Sequence, residues 1–272
     1  MGRRALESIS ETPGLDAQLL LVEVLERSRA WILAHTEVAM DGVQAQFFIN
    51  LVSRCEGGEA LPYVIGWWEF YGRRFRLTPD VLIPRPETEM IIEAGLKYLA
   101  KHTRCRVAAD VGTGCGCVAV TLAAEVPDLY LTATDLTVEA LRVAKSNAHE
   151  IGVISRVRFI QADLLSPLYG SFDLICANLP YIPTRTLPSL LVAQREPRLA
   201  LDGGMDGLLI IRRLIMNLPI WLANNGRALL EIGDGQAEAA INAVQEIMPA
   251  SEIMLRKDLS GKDRMLVIDR RE

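Results

Sequence analysis

The amino-acid sequence predicts an α/β protein: a doubly wound parallel sheet preceded by a small helical domain and a β-hairpin linker. From Pro86 onward, apolar strand-like runs alternate with helical ones, the pattern of a parallel sheet covered on both faces. The first of those strands runs directly into three closely spaced glycines and an apolar helix. Before Gly57 there is no convincing strand, and apolar residues recur at helical spacing.

Taken in order, Leu15, Leu19, Leu20, Val22 and Leu25 mark one helical run. Asp41 precedes a second run through Phe47, Phe48, Leu51 and Val52, which the Gly57-Gly58 pair stops. These segments make up an N-terminal helical domain, residues 1–61. Of the 4 Trp, 6 Tyr and 6 Phe in the chain, six fall between Tyr63 and Phe75. Aromatic and β-branched residues from Tyr63 to Leu77, broken by Gly66 and Gly72, read as a short hairpin. Pro79, Pro84 and Pro86 then break up the chain, so the hairpin linker is placed at 62–84 and the sheet domain at 85–272. Strands are expected at Arg106–Val111, Tyr130–Asp135, Val157–Asp163, Phe172–Asn178, Arg227–Ile232, Glu252–Lys257 and Met265–Asp269. Helices are expected between them, among them Val118–Ala124, Val138–Ile151 and Gln236–Met248.

Composition sets limits on function. With 272 residues, 50% of them hydrophobic, the chain can bury a large core. A net charge of −5 argues against a protein held to nucleic acid by bulk electrostatics. No apolar run approaches the ~18 residues of a membrane span. Five cysteines, an odd number, and an opening Met-Gly-Arg-Arg-Ala-Leu-Glu without an apolar leader predict a reducing cytoplasm. Cys115-x-Cys117 has no second Cys/His pair beside it, and His35, His102 and His149 are scattered, so no metal site is expected.

The first strand of the sheet domain ends Asp110-Val111-Gly112-Thr113-Gly114-Cys115-Gly116. Glycines there let the backbone turn tightly and approach a ligand closely. The next strand ends in Asp135, placed to accept hydrogen bonds from ribose hydroxyls, and the third ends in Asp163. Singly, the glycines are a turn and either aspartate a helix cap. Together at one sheet edge they favour an adenosine-containing ligand. The G-x-G-x-G spacing differs from the dinucleotide fingerprint G-x-G-x-x-G. It resembles motif I of the class I S-adenosylmethionine-dependent methyltransferases, whose seven-stranded Rossmann-like sheet the alternating elements match.

The fourth strand ends Asn178-Leu179-Pro180-Tyr181. An amide nitrogen is a poor nucleophile because its lone pair is delocalised. The Asn178 side-chain oxygen and the Leu179 carbonyl are placed to accept the N–H groups of a substrate –NH₂ and orient it. Tyr181 is placed to stack on the planar group. The motif is similar to the [Asp/Asn]-Pro-Pro-Tyr of amino methyltransferases. Leu179 departs from the commoner Pro, retaining the carbonyl but losing stiffness. Asn-Leu-Pro-Tyr also occurs in ribosomal RNA adenine dimethyltransferases, so this motif alone leaves protein and RNA substrates open.

The flanking segments narrow the choice. Tyr63-Val64-Ile65-Gly66, Glu69-Phe70-Tyr71-Gly72 and Leu82-Ile83-Pro84-Arg85-Pro86-Glu87-Thr88-Glu89 resemble the signature of the protein-(glutamine) methyltransferases that modify peptide chain release factors. So do Glu196-Pro197-Arg198-Leu199-Ala200-Leu201-Asp202-Gly203-Gly204, Asp206-Gly207-Leu208, and Lys257 through Arg264. The resemblance spans about Asp16 to Val267. It implies methylation, from S-adenosyl-L-methionine, of the glutamine side-chain amide in a release factor's Gly-Gly-Gln loop. It implies as cofactor residues Gly112, Thr113, Gly114, Cys115, Gly116, Asp135 as ribose ligand, Asp163 and Leu164 beside the adenine, and Asn178. Many relatives have an aromatic residue at the position of Leu164. Asn178, Pro180 and Tyr181 are implied as catalytic, and Asn178 through Tyr181 as the grip on the substrate glutamine. The implied partner is a release factor, with no nucleic acid or membrane and a monomeric, cytoplasmic enzyme, the helical domain recognising the partner. Arg85 is expected to meet either the cofactor's methionine end or carboxylates of its own linker, and Arg73, Arg74 and Arg76 either the partner or solvent. No general base is assigned; Glu69, Glu87 and Glu196 receive no catalytic role. Adenine methylation of nucleic acid and a non-catalytic S-adenosylmethionine-binding module are the competing hypotheses.

Overall fold

The computed structural model describes residues 2–166, 168 and 170–271. Its contacts divide the chain into two compact units, with the division between Trp67 and Trp68. The first contains α1 (Gly2–Leu6), α2 (Pro13–Leu25), α3 (Arg29–Ala34), α4 (Gly42–Glu56) and α5 (Leu61–Ile65). Its buried side chains include Leu6, Leu20, Phe48, Leu51 and Val52. Asp41 and Gln44 start α4 with reciprocal bonds: the Gln44 N–H donates to Asp41 Oδ1 at 2.8 Å and the Asp41 N–H to Gln44 Oε1 at 3.0 Å.

The hairpin is shorter than the sequence pattern suggests. Tyr63, Val64 and Ile65 are helical, not extended, in α5. Pro62 sits in its first turn, where the fixed φ suits a helix, and Gly66 closes it at φ 81°. Only then do β1 (Trp67–Phe70) and β2 (Arg73–Arg76) pair, with Phe70 and Phe75 buried edge to face at 6.1 Å.

The sheet unit continues with α6 (Glu89–Lys101), β3 (Val107–Val111), α7 (Cys117–Glu125), β4 (Tyr130–Asp135), α8 (Val138–Glu150), β5 (Val157–Gln161) and β6 (Phe172–Ala177). Then come α9 (Val192–Arg195), α10 (Leu209–Trp221), β7 (Leu222–Glu231), α11 (Ala237–Ile247), β8 (Glu252–Lys257) and β9 (Asp263–Asp269). Seven strands pair in the order β5-β4-β3-β6-β7-β9-β8. The first five in that order are parallel, but β9 runs antiparallel to both β7 and β8. The seven-stranded, doubly wound sheet expected from the sequence is present, and the reversal of its last strand has a length reason. The five residues 258–262 are too few for a crossover, so β8 and β9 form a hairpin, turned at Gly261 with φ 79°.

Side chains alternate along the strands. Ala109, Val111, Ile175, Ala177, Ala228 and Leu230 join the cluster that buries α10 and α11. The residues between them face α6 and α7: a Cβ placed on Gly95 of α6 lies 3.3 to 3.8 Å from Leu122, Leu174 and Leu229. Gly95 thus lets α6 lie close to the sheet. Among the described residues, no helix is long and apolar enough to cross a membrane.

A second close approach supports the loop after β6. Gly207 has φ 81°, and a Cβ there would lie 2.1 Å from the Tyr181 carbonyl oxygen and 2.3 Å from Gln236 Nε2. Gly207→Ala is expected to cost about 2 kcal/mol through backbone strain and this clash. The thermal midpoint should fall by roughly 5 °C in differential scanning calorimetry; an unchanged midpoint would show that the loop yields freely.

Candidate active site

The carboxyl ends of β3, β4, β5 and β6 surround a cavity of about 470 Å³. Its walls include Gly112, Thr113, Gly114, Cys115, Asp135, Asp163, Leu164, Asn178, Leu179 and Pro180. Gly116 and Tyr181 do not line it. Gly116 has φ 84°, and a Cβ there would meet Ala144 Cβ at 3.0 Å, so its bareness allows α7 and α8 to pack. The Tyr181 ring packs against the core cluster beneath α10 and α11.

The glycine loop is held from below. Asp110 is buried, and its Oδ2 accepts from Thr113 Oγ1 at 2.6 Å and from the Ala119 N–H at 3.1 Å. One carboxylate therefore ties the loop to the first turn of α7. Burial pushes its pKa up to about 6, against the pull of those two bonds. The Thr113 N–H donates to the Thr134 carbonyl at 2.8 Å, fixing the loop to β4. Buried Asn147 of α8 reaches both ways: its Nδ2 donates to the Cys115 carbonyl at 2.7 Å and to the Arg76 carbonyl at 3.1 Å. The Asp135 carboxylate accepts from the Gly114 N–H and the Thr137 N–H, each at 3.0 Å. Its Oδ1 also accepts from Thr137 Oγ1 at 3.2 Å, so of about four lone-pair sites the one left, on Oδ2, is available to a ligand hydroxyl. A Cβ on Gly114 would meet nothing within 4 Å, so the loop there faces open space. Leu164 adopts φ 57°, a conformation L-residues rarely take, while its side chain joins the core. Asp163 lies beside it, ion-paired with Arg213 of α10 at 2.7 Å.

The loop after β6 is braced on two sides. Gln236 Nε2 donates to the Tyr181 carbonyl at 2.8 Å and to the Asp206 carbonyl at 3.1 Å, while its Oε1 accepts from the Gly233 N–H at 2.7 Å. The Gly203 N–H donates to the Ile182 carbonyl at 2.9 Å. A Cβ on Gly112 would lie 2.9 Å from Leu179 Cδ2, so the apolar Leu179 seats this loop against the glycine turn. Asn178 Nδ2 donates to Thr88 Oγ1 at 2.9 Å, and Thr88 Oγ1 donates to Glu231 Oε2 at 2.7 Å. The Tyr181 hydroxyl donates to Glu231 Oε1 at 3.2 Å. Burial raises the Tyr181 phenol pKa, and the Glu231 charge adds to that.

Arg85 pairs with a carboxylate that lies outside its own linker. Its Nη2 donates to Glu196 Oε1 at 2.5 Å, a carboxylate 111 residues further on. Glu196 Oε2 also accepts from the Ile83 N–H at 3.0 Å, which ties the segment before α6 to the wall beside Pro197. Arg73 is paired with Glu125 at 2.5 Å, and the Arg76 N–H donates to Asn147 Oδ1 at 2.7 Å.

Sequence reasoning missed Thr88, Glu231, Gln236, Asn147 and Arg213 as parts of this site. The one usable signal was Glu231, an acid at the end of the apolar run Ala228-Leu229-Leu230 and thus at the same sheet edge as the glycine turn and Asn178.

Comparison with known proteins agrees with this architecture. Residues 1–66 match the model of the PrmC N-terminal domain, and residues 91–205 that of the methyltransferase small domain. The solved ribosomal protein L11 methylase of Lactobacillus delbrueckii subsp. bulgaricus shares the fold, with TM-score 0.52 at 24% identity over 73% of this chain and 86% of that one. Release factor glutamine methyltransferase of Coxiella burnetii is 40% identical over 97% of this chain and 95% of its own. That of Moorella thermoacetica is 38% identical over 99% and 96%. At such identity over nearly the whole of both chains, this chain belongs to the release factor glutamine methyltransferase family.

Proposed function

We propose that this protein transfers the methyl group of S-adenosyl-L-methionine to the side-chain amide nitrogen of the glutamine in the Gly-Gly-Gln loop of peptide chain release factors, and so supports translation termination in the cytoplasm. The observation that carries the reading is the convergence of two unlike functions on one cavity: a glycine turn with Asp135, and an amide, Asn178, at the end of the neighbouring strand β6.

The residues fit the cofactor. A cavity of about 470 Å³ is within the usual range for a ligand of this size. The open backbone at Gly112–Cys115 and the remaining acceptor lone pair of Asp135 suit a nucleoside. Asp163 and Leu164 border the same space, and Gly116 keeps the turn packed on α8. When bound, the cofactor supplies an electrophilic methyl group on sulfur.

The chain's own contribution is orientation. With Nδ2 committed to Thr88, the Asn178 Oδ1 is the end left to accept an N–H of the substrate amide. The Leu179 carbonyl accepts the second N–H, and Pro180 stiffens the turn. Two acceptors on one –NH₂ turn its lone pair toward the electrophile, which is how preorganised dipoles lower a barrier. Tyr181 acts through its hydrogen bond to Glu231 and its packing, which replaces the stacking role expected of it. Methylation leaves the nitrogen cationic and strongly acidic, so water suffices to remove its proton. We assign recognition of the release factor to the helical unit, with 62–84 as linker and 85–272 as the methyltransferase domain, working as a monomer without bound nucleic acid.

Labelled-methyl incorporation into a purified release factor tests the reading. Incorporation should vanish when the loop glutamine is changed to Ala; undiminished labelling, or labelling of ribosomal RNA instead, would overturn it. Asn178→Ala should lower kcat on the order of 10²-fold while leaving S-adenosylhomocysteine affinity by calorimetry within a few-fold. Equal loss in both would place Asn178 with the cofactor alone. Asp135→Ala should show the opposite pattern, weakening S-adenosylhomocysteine binding at least about tenfold, the worth of one hydrogen bond to a charged group. Unchanged affinity would remove Asp135 from the ribose site.

A further inference from the structure

We propose that Glu231 is a positioning residue that fixes which end of the Asn178 amide faces the crevice, acting through the Thr88 hydroxyl, and that it restrains Tyr181 by the same carboxylate. The inference rests on the reading of Asn178 as the grip on the substrate amide.

The geometry is a single hydrogen-bonded chain spanning three distant parts of the sequence. Strand alternation turns Glu231 away from the face of α10 and α11, which its neighbour Leu230 enters, and toward Thr88 at the start of α6. Glu231 is 1% exposed and Thr88 likewise 1%. An ionised carboxylate can only accept. Thr88 must therefore spend its one proton on Glu231, at 2.7 Å, which leaves its oxygen to accept from Asn178. Only the Nδ2 end of Asn178 can donate, so Oδ1 is turned to the other side. Amide ends are otherwise near-equivalent in shape, and a flipped Asn178 would present N–H groups to the N–H groups of its substrate. The second carboxylate oxygen takes the Tyr181 hydroxyl at 3.2 Å, holding the loop three residues further along.

A protonated Glu231 breaks this logic. It donates from one oxygen, and with the proton on Oε2 the Thr88 hydroxyl reverses and the polarity that orients Asn178 is lost. The groups around Glu231 set where that happens. Burial opposes its charge most, and Glu87 adds to this, while Thr88, Tyr181 and the Arg264 guanidinium on β9 favour the charged form. The Cys117 thiol on α7 also feels it. The balance lies at about 7. The oriented state therefore forms as pH rises through neutrality and is lost below it.

Two readouts separate this proposal from the function itself. In ¹⁵N NMR of the full-length protein, the Asn178 side-chain amide signal should follow pH with a midpoint near 7. In Glu231→Gln and Thr88→Val it should not; a signal equally indifferent, or equally responsive, in wild type and Glu231→Gln would overturn the proposal whatever the substrate is. In the release-factor assay, wild-type kcat should rise through the same pH range. Glu231→Gln should lie on the order of 10²-fold lower, with a flat profile and unchanged S-adenosylhomocysteine affinity. Thr88→Ser, which keeps the hydroxyl, should restore most of the rate that Thr88→Val loses. Wild-type kcat or an intact pH limb in Glu231→Gln would overturn the positioning role. An inactive wild type whose NMR signal behaves as stated would count against the release-factor reading and for the network.

Discussion

The structure depends on where the order of its parallel strands reverses. From β3 the chain crosses to β4 on one side, and later enters β6 on the other, so the helices that follow β3 and β6 leave on opposite faces. No helix can cover the gap between them at the carboxyl edge, and a crevice forms there by geometry alone. Everything chemically distinctive in the sheet unit converges on it: the glycine turn after β3, Asp135 ending β4, and Asn178 following β6.

A crevice by itself would be soft, and much of the chain's polar content is used to stiffen it. Asp110 and Thr113 lock the glycine turn, Asn147 ties that turn to the hairpin, and Gln236 holds the loop after β6. Each is a buried polar group with its hydrogen bonds made, which restricts the backbone at low cost; left unpaired, the same groups would be penalised. The glycines at 203 and 207 serve the same end. They allow a second backbone layer to lie directly beneath Pro180 and Tyr181. Preorganisation of this kind suits a reaction whose nucleophile is weak and whose catalyst contributes orientation more than proton transfer.

Much of this was legible in the sequence, for identifiable reasons. Strand positions followed from apolar runs, and the glycine spacing with Asp135 located the crevice because both signals are local. What could not be read was non-local. Thr88 reaches Glu231 across 143 positions, and Arg85 reaches Glu196 across 111. No periodicity encodes such pairings, since they arise only when the sheet closes. The helical Tyr63–Ile65 was misread because its aromatic and β-branched residues favour strands, while Pro62 and Gly66, acting at its two ends, decide the outcome. The antiparallel direction of β9 was not legible because strand direction depends on connection length, not on the strand's own residues.

The central claim is that the loop at Asn178 presents a glutamine amide nitrogen for methylation. Tandem mass spectrometry of a release factor after incubation with this protein and S-adenosylmethionine tests it most directly. The prediction is one methyl group, on the side-chain nitrogen of the Gly-Gly-Gln glutamine. A methyl group on any other residue, or a release factor returned unmodified, would contradict it.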